Sequence, residues 1–207
     1  PKTLTAQLSA ENLTLFRGDR CLFRGVSFAL NSGELLILEG SNGSGKTSLM
    51  KAIVGMLDLE KGVVSWNGMP VAEQRQVFHG ALVWTAHRVG LKADLTLVEN
   101  LRFEAALRPQ GADGLETVLE RLEISRLKPL PLRSLSAGQQ RRVALARMML
   151  ADVPLWLMDE PFTNLDREGR ALVMQLVKEH LDKGGMCVMA AHQDIEIDAP
   201  VKKVILQ

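Results

Sequence analysis

The stretch over residues 35–54 limits the fold more than any other. Leu35-Leu36-Ile37-Leu38 is an unbroken apolar run, the pattern of a strand buried on both faces. It leads into Gly40-Ser41-Asn42-Gly43-Ser44-Gly45-Lys46-Thr47, which satisfies G-x-x-x-x-G-K-[ST] at every fixed position. Residues 46–54 then follow with helical spacing. Glycines let successive backbone N–H groups turn inward where a Cβ would hold a phosphate away. A helix beginning near Lys46 adds its positive N-terminal end. In such a unit Lys46 offers a charge to the outer phosphates, and Thr47 a hydroxyl ligand for Mg²⁺. The candidate phosphate-binding residues are Gly40, Ser41, Asn42, Gly43, Ser44, Gly45, Lys46, Thr47 and the adjoining Ser48.

A strand of that kind needs neighbours, and the rest of the chain supplies them. Short apolar runs at 82–84, 153–158 and 187–191, with a helical pattern at 168–181, alternate with helices. This predicts an α/β fold: a P-loop NTPase core with a mostly parallel sheet. The first thirty residues differ. Leu13, Leu15, Val26, Phe28 and Leu30 alternate with polar residues, as in an antiparallel, half-exposed sheet, so an N-terminal antiparallel β subdomain is expected. Residues 96–126 are helical in pattern with the weakest strand signal, and about 90–150 is read as a helical subdomain inserted into a single domain spanning 1–207.

Composition narrows the classes. Lys plus Arg number 25 against 24 Asp plus Glu, which argues against nucleic-acid binding through a broad basic face. Two cysteines, Cys21 and Cys187, imply no disulfide framework and fit a reducing compartment. The apolar runs fall well short of the roughly 18 residues of a membrane span, and no charged-then-apolar signal opens the chain. A soluble cytoplasmic protein is expected, touching membranes only through partners.

Two further segments carry chemistry. The strand at 153–158 ends in Asp159-Glu160. Open parallel sheets bind ligands beyond the carboxyl ends of their strands, so Asp159 suits Mg²⁺ and Glu160 suits polarising an attacking water; two solvated surface acids are the plainer alternative. His192 follows the run at 186–191 and reaches the same edge, either as a hydrogen-bonded core histidine or as a γ-phosphate contact. Leu135-Ser136-Ala137-Gly138-Gln139 opens a helix running to about Leu150. Ser136 and Gln139 have capping-box spacing, and Ser136 as a simple cap is one reading. Gly138 in the first turn costs helix stability relative to alanine. Its use would be close approach of backbone to an anion at the positive helix end. A second anion-binding helix end beside a single phosphate loop suggests a nucleotide held between two copies of the domain.

These segments together resemble the ATP-binding cassette ATPases over nearly the whole chain. The phosphate loop, Leu135-Ser-Ala-Gly-Gln139, the strand ending in Asp159-Glu160, and His192 match that family's Walker A, signature, Walker B and switch-histidine motifs in order; Asn164-Leu165-Asp166 matches its D-loop. The resemblance implies ATP and Mg²⁺ as cofactors, with Lys46, Glu160 and His192 catalytic and Thr47 and Asp159 holding the metal. Ser136, Gly138 and Gln139 of one subunit would close on ATP held by the other, in a homodimeric arrangement of two sites. Phe16, 24 positions before Gly40, resembles the aromatic that stacks on adenine, though Phe16 and Phe23 are equally readable as core or edge-strand residues. One departure stands out: His87 occupies the Q-loop glutamine position, where a neutral imidazole would reach Mg²⁺ only through water. The segment at 87–101 would meet a membrane-spanning subunit.

A narrower resemblance, to the ATP-binding subunits of haem exporters in cytochrome c maturation, rests on the short chain, His87, Gly90-Leu91-Lys92, the run at 139–147, and Glu160-Pro161-Phe162-Thr163. It implies a peripheral protein on the cytoplasmic face of a bacterial inner membrane, bound to haem-handling membrane subunits, powering haem delivery or release of a haem-loaded chaperone. Small exporters of lipid, metal or peptide share several of these segments, and a nucleotide-gated module with little turnover is a further alternative. Chromosome-maintenance ATPases need heptad arms, absent between Thr47 and Ser136. Tandem cassettes acting on ribosomes need two phosphate loops, and one is present.

Overall fold

The computed structural model describes residues 6–86, 90–107, 114–191 and 195–206. Strands β1 (Gln7–Arg17) and β2 (Arg20–Asn31) form an antiparallel hairpin, followed by β3 (Leu35–Glu39), the glycine-rich loop and helix α1 (Lys46–Ile53). Strands β4 (Lys61–Trp66) and β5 (Met69–Pro70) return to the hairpin, and α2 (Arg75–Gly80) leads to β6 (Leu82–Thr85). Helices α3 (Leu97–Ala105), α4 (Leu115–Arg121) and α5 (Ala137–Ala151) come next, before β7 (Leu155–Asp159). Helix α6 (Arg167–Asp182) joins β7 to β8 (Met186–Ala190), and β9 (Val201–Ile205) follows.

Two sheets result. One has the order β2-β1-β4-β5 and is antiparallel; the other has the order β6-β7-β8-β3-β9, and every pairing in it is parallel. Side chains alternate across a strand, and in the parallel sheet that alternation sorts residues into two cores. Leu35, Ile37, Trp156, Met158, Cys187 and Met189 face the core built with Leu101 of α3, Leu119 of α4, Val143 of α5 and Val173 of α6. Leu36, Leu38, Leu155, Leu157, Val188 and Ala190 face the core shared with Leu49 of α1, Phe78 of α2 and the inner face of the antiparallel sheet. Burial on both faces is why β3, β7 and β8 read as unbroken apolar runs. Each fully buried Leu or Met contributes on the order of 1.5–3 kcal/mol.

In the hairpin, Leu8, Ala10, Leu13 and Leu15 are all buried, although Ala10 and Leu13 are three residues apart. A register shift between them, with Asn12 at φ 50°, absorbs the odd residue and keeps both halves of β1 facing the core. Among the described residues, the helical stretch expected at 96–126 holds two α-helices, α3 and α4. Thr96 opens α3 with a complete capping box, its hydroxyl accepting from Glu99 N while Glu99 Oε2 accepts from Thr96 N at 2.8 Å. Strands β4, β5 and β9 carry no strong sequence pattern. Strand β9 is an edge whose Lys202 and Lys203 pair with Glu34 and Glu39, so the charges that obscure it in sequence are what anchor it.

Candidate functional site

Because the five strands of the second sheet run parallel, their carboxyl ends share one edge. Strand β3 delivers Gly40 there and β7 delivers Asp159 and Glu160. At Gly40 the backbone takes φ 148°, and a Cβ would lie 2.4 Å from Ser44 Oγ and 2.5 Å from the Leu206 carbonyl, so glycine is required. Gly45 is the N-cap of α1 in the left-handed conformation, and no side chain caps this helix. The leading N–H groups of α1 are thus left for an anion. Ser44 Oγ is buried in the loop without a hydrogen-bond partner, a hydroxyl that a phosphate oxygen would satisfy. Ser41, Asn42 and Gly43 form the exposed lip, and Ser48 sits half-buried on the first turn of α1.

Lys46 is buried, and its ammonium donates to the Gly40 and Ser41 carbonyls at 2.8 and 2.9 Å. Burial pushes its pKa down, while the Glu160 and Asp159 carboxylates oppose that shift. Thr47 Oγ1 donates to Asp159 Oδ2 at 2.8 Å, and Asp159 is only 1 % exposed. Glu160 adopts φ 50°, uncommon for a residue with a side chain, and its N–H donates to the Ala190 carbonyl at 3.0 Å. Thr47 and Asp159 therefore meet from two segments 112 residues apart, with Lys46 in electrostatic reach of Asp159 and Glu160.

One residue in this group carries no motif of its own. Arg141, in the second turn of α5, is buried; its Nε donates to the Pro161 carbonyl at 3.0 Å, and Nη2 donates to the Glu160 carbonyl. Burial lowers its pKa, and the Asp159 and Glu160 charges counter the effect. A sequence signal existed: Arg141 shares a helical face with Ala144, Leu145 and Met148, all buried, and an arginine in such a stripe must find partners.

The signature residues stand apart from the phosphate loop. Ser136 Oγ accepts from Gln139 N at 3.2 Å and Gln139 Oε1 accepts from Ser136 N at 2.9 Å, the full capping box. A Cβ on Gly138 would meet the Asn164 carbonyl at 3.7 Å, an ordinary contact, so among the described residues nothing demands glycine there. Phe16 is half-buried near the hairpin tip, with the Arg24 guanidinium 5.8 Å from its ring centre. The tip lies against the phosphate loop, since Arg20 Nη2 donates to the Gly43 carbonyl at 3.2 Å. His87 and His192 lie outside the described residues. Asn100, buried on α3, gathers the segment before it: its side-chain amide donates to the Lys92, Leu95 and Thr96 carbonyls and its oxygen accepts from Lys92 N. Among the described residues no helix is long and apolar enough to cross a membrane.

Comparison with known proteins agrees with this geometry. Residues 23–163 match the family model described as ABC transporter. The chain is 43 % identical over 194 residues to the cytochrome c biogenesis ATP-binding export protein CcmA of Methylococcus capsulatus, covering 93 % of this chain and 94 % of the relative. It is 40 % identical over 207 residues to the protein of the same name from Pasteurella multocida, covering 99 % and 97 %. A solved ATP-binding subunit of an ABC transporter superposes with a TM-score of 0.82 at 25 % identity, over 89 % of this chain and 79 % of that one. With a family model matched over most of its length and relatives of this identity across nearly all of it, the chain belongs to the ABC transporter family.

Proposed function

We propose that this chain is the ATP-hydrolysing subunit of a membrane transporter that powers haem export for cytochrome c biogenesis. The observation that carries the hydrolytic part is the meeting of Lys46, Thr47, Asp159 and Glu160 at the carboxyl edge of the parallel sheet. The names of the Methylococcus and Pasteurella relatives support the cytochrome c part. Haem as cargo follows from the narrower resemblance above.

The loop N–H groups and Ser44 Oγ take the phosphates, and the Lys46 ammonium exchanges the Gly40 and Ser41 carbonyls for phosphate oxygens of greater charge. The donor set fits Mg²⁺: Thr47 Oγ1 and Asp159 Oδ2 are hard oxygens side by side. No group of three or more His, Cys, Asp or Glu gathers among the described residues, so phosphate and water oxygens would complete the shell, as is usual for this ion with nucleotides. When bound, the ion neutralises charge on the outer phosphates. Glu160 aligns the attacking water and accepts its proton; His192 would contact the γ-phosphate, and His87 would serve the metal through water. Phe16 stacks on adenine. Ser136, Gly138 and Gln139 close on the ATP of a second copy, and the segment at 87–101 docks the membrane-spanning subunits on the cytoplasmic face of the inner membrane.

The test is Glu160→Gln in the complex purified with its membrane subunits. We expect kcat to fall by roughly 10²–10⁴-fold with ATP affinity retained; a variant that hydrolyses at the wild-type rate overturns the assignment. The purification also reads out the cargo: lipid- or metal-handling subunits recovered without a haem-handling one overturn the haem assignment.

A further inference from the structure

The turn that carries Glu160 is held from two sides. From β8, the Ala190 carbonyl accepts the Glu160 N–H at 3.0 Å. From α5, Arg141 reaches three consecutive carbonyls: Nε to Pro161 at 3.0 Å, Nη2 to Glu160, and Nη2 within 3.5 Å of Asp159. Glu160 sits at φ 50°, a conformation that persists only where the surroundings over-determine it. A guanidinium is suited to that task because its donors form a rigid planar fork that stays charged. The cost of burying it is offset by the Asp159 and Glu160 carboxylates. The other end of this connection is the first turn of α5, where the capping box of Ser136 and Gln139 and the backbone of Gly138 are presented outward. Arg141 lies five positions after Ser136, about 7.5 Å along the axis.

We propose that Arg141 is a positioning residue for hydrolysis: it aims the Glu160 carboxylate by clamping the backbone at 159–161, and it makes that aim follow the orientation of the signature end of α5. A tilt of α5 as its N-terminus engages a nucleotide on another copy is carried through one buried side chain to the base of the chain's own site. The two ATP sites of a dimer are thereby tied to each other. This inference rests on the proposed role of Glu160 as the base that activates water.

The experiment compares Arg141→Met and Arg141→Lys with wild type in the purified complex, measuring kcat, KM for ATP and the stoichiometry of ATP binding. A misplacement of about 1 Å at a catalytic group lowers rate by roughly 10²-fold. Arg141→Met is therefore expected to lose about 10–100-fold in kcat, with KM and stoichiometry within about twofold of wild type. Arg141→Lys, which keeps the charge on a single donor nitrogen but not the fork, is expected to recover part of that loss. Because Arg141 acts through Glu160, adding Arg141→Met to Glu160→Gln should lower the residual rate by less than about threefold. An unchanged kcat in Arg141→Met overturns the proposal, as does a loss that multiplies in full onto that of Glu160→Gln. So does a fall in binding stoichiometry that accounts for the lost rate. If Arg141→Met does not fold, the same cycle is completed with Arg141→Lys. If Glu160→Gln itself keeps the wild-type rate, the base assignment fails before Arg141 enters the comparison, and the positioning role falls with it.

Discussion

At Gly40 the chain leaves a buried strand and turns past Ser44 and the Leu206 carbonyl, with room for a hydrogen but not for a methyl. The neighbour on one side is backbone, which cannot swing away as a flexible side chain would. Gly40→Ala should therefore distort the loop. We expect about 1–3 kcal/mol of lost stability in urea unfolding together with weakened ATP binding in a titration; a variant matching wild type in both would contradict the geometry. Lys46 and Arg141 show a second residue-scale rule. Both are buried cations beside the same two carboxylates, and a buried charge is tolerated only when paired and hydrogen-bonded. Lys46 was legible because its motif names it. Arg141 was legible only through the apolar stripe it shares with Ala144, Leu145 and Met148, and its neighbour Arg142 lies close enough to that stripe for the pair to read equally well as a solvated face.

Among the elements, α6 and β8 are joined by a tight connection around His180. Its ring stacks on Trp156 of β7 with centroids 4.1 Å apart and planes 9° from parallel, and its Nε2 lies 3.2 Å from the Met186 carbonyl. Gly185 makes the arrangement possible, since a Cβ there would fall 2.3 Å from the imidazole. Burial is the main cause that pushes the His180 pKa below its ordinary 6.5. In the unfolded chain the ring takes up a proton near that ordinary value, so the unfolded state binds more protons as pH falls below about 6.5, and the folded state loses stability there. The slope from this group is at most about 1.4 kcal/mol per pH unit. His180→Phe keeps a ring for Trp156 but removes the titration. Urea unfolding at about pH 7.5 and 5.5 should show the variant gaining on wild type at the lower pH; a constant difference between them would refute the sign. Element types were readable where local pattern decides them: the unbroken runs of β3, β7 and β8, and the capping box at Ser136. Strand β9 was not, because Lys202 and Lys203 look exposed until β3 and Glu34 and Glu39 are beside them.

In the whole molecule, the phosphate loop and the signature turn belong to one chain but share none of the hydrogen bonds described for either. Among the described residues Gly138 has no steric reason, yet glycine costs a helix up to about 1 kcal/mol. The proposed approach of a nucleotide from a second copy would supply the reason. We expect Glu160→Gln protein to dimerise in sedimentation when ATP and Mg²⁺ are added, and Gly138→Asp introduced into it to abolish dimerisation without unfolding the monomer, since a Cβ at that position makes only an ordinary contact. Persistence of a monomer with ATP, or a dimer indifferent to Gly138→Asp, would contradict the shared site.

The sequence by itself determined the phosphate loop, the two-faced strands, the helix caps and the acid pair that ends β7, because each depends on residues within a few positions of one another and on backbone preferences those residues impose. Only the tertiary structure decided that Thr47 meets Asp159, 112 residues away, that Arg141 rather than its neighbour Arg142 is driven inward onto the turn at Glu160, and that β9 completes the sheet beside β3. Those contacts follow from the strand order β6-β7-β8-β3-β9, and strand order is settled by how two cores pack on opposite faces of one sheet, which no local pattern encodes.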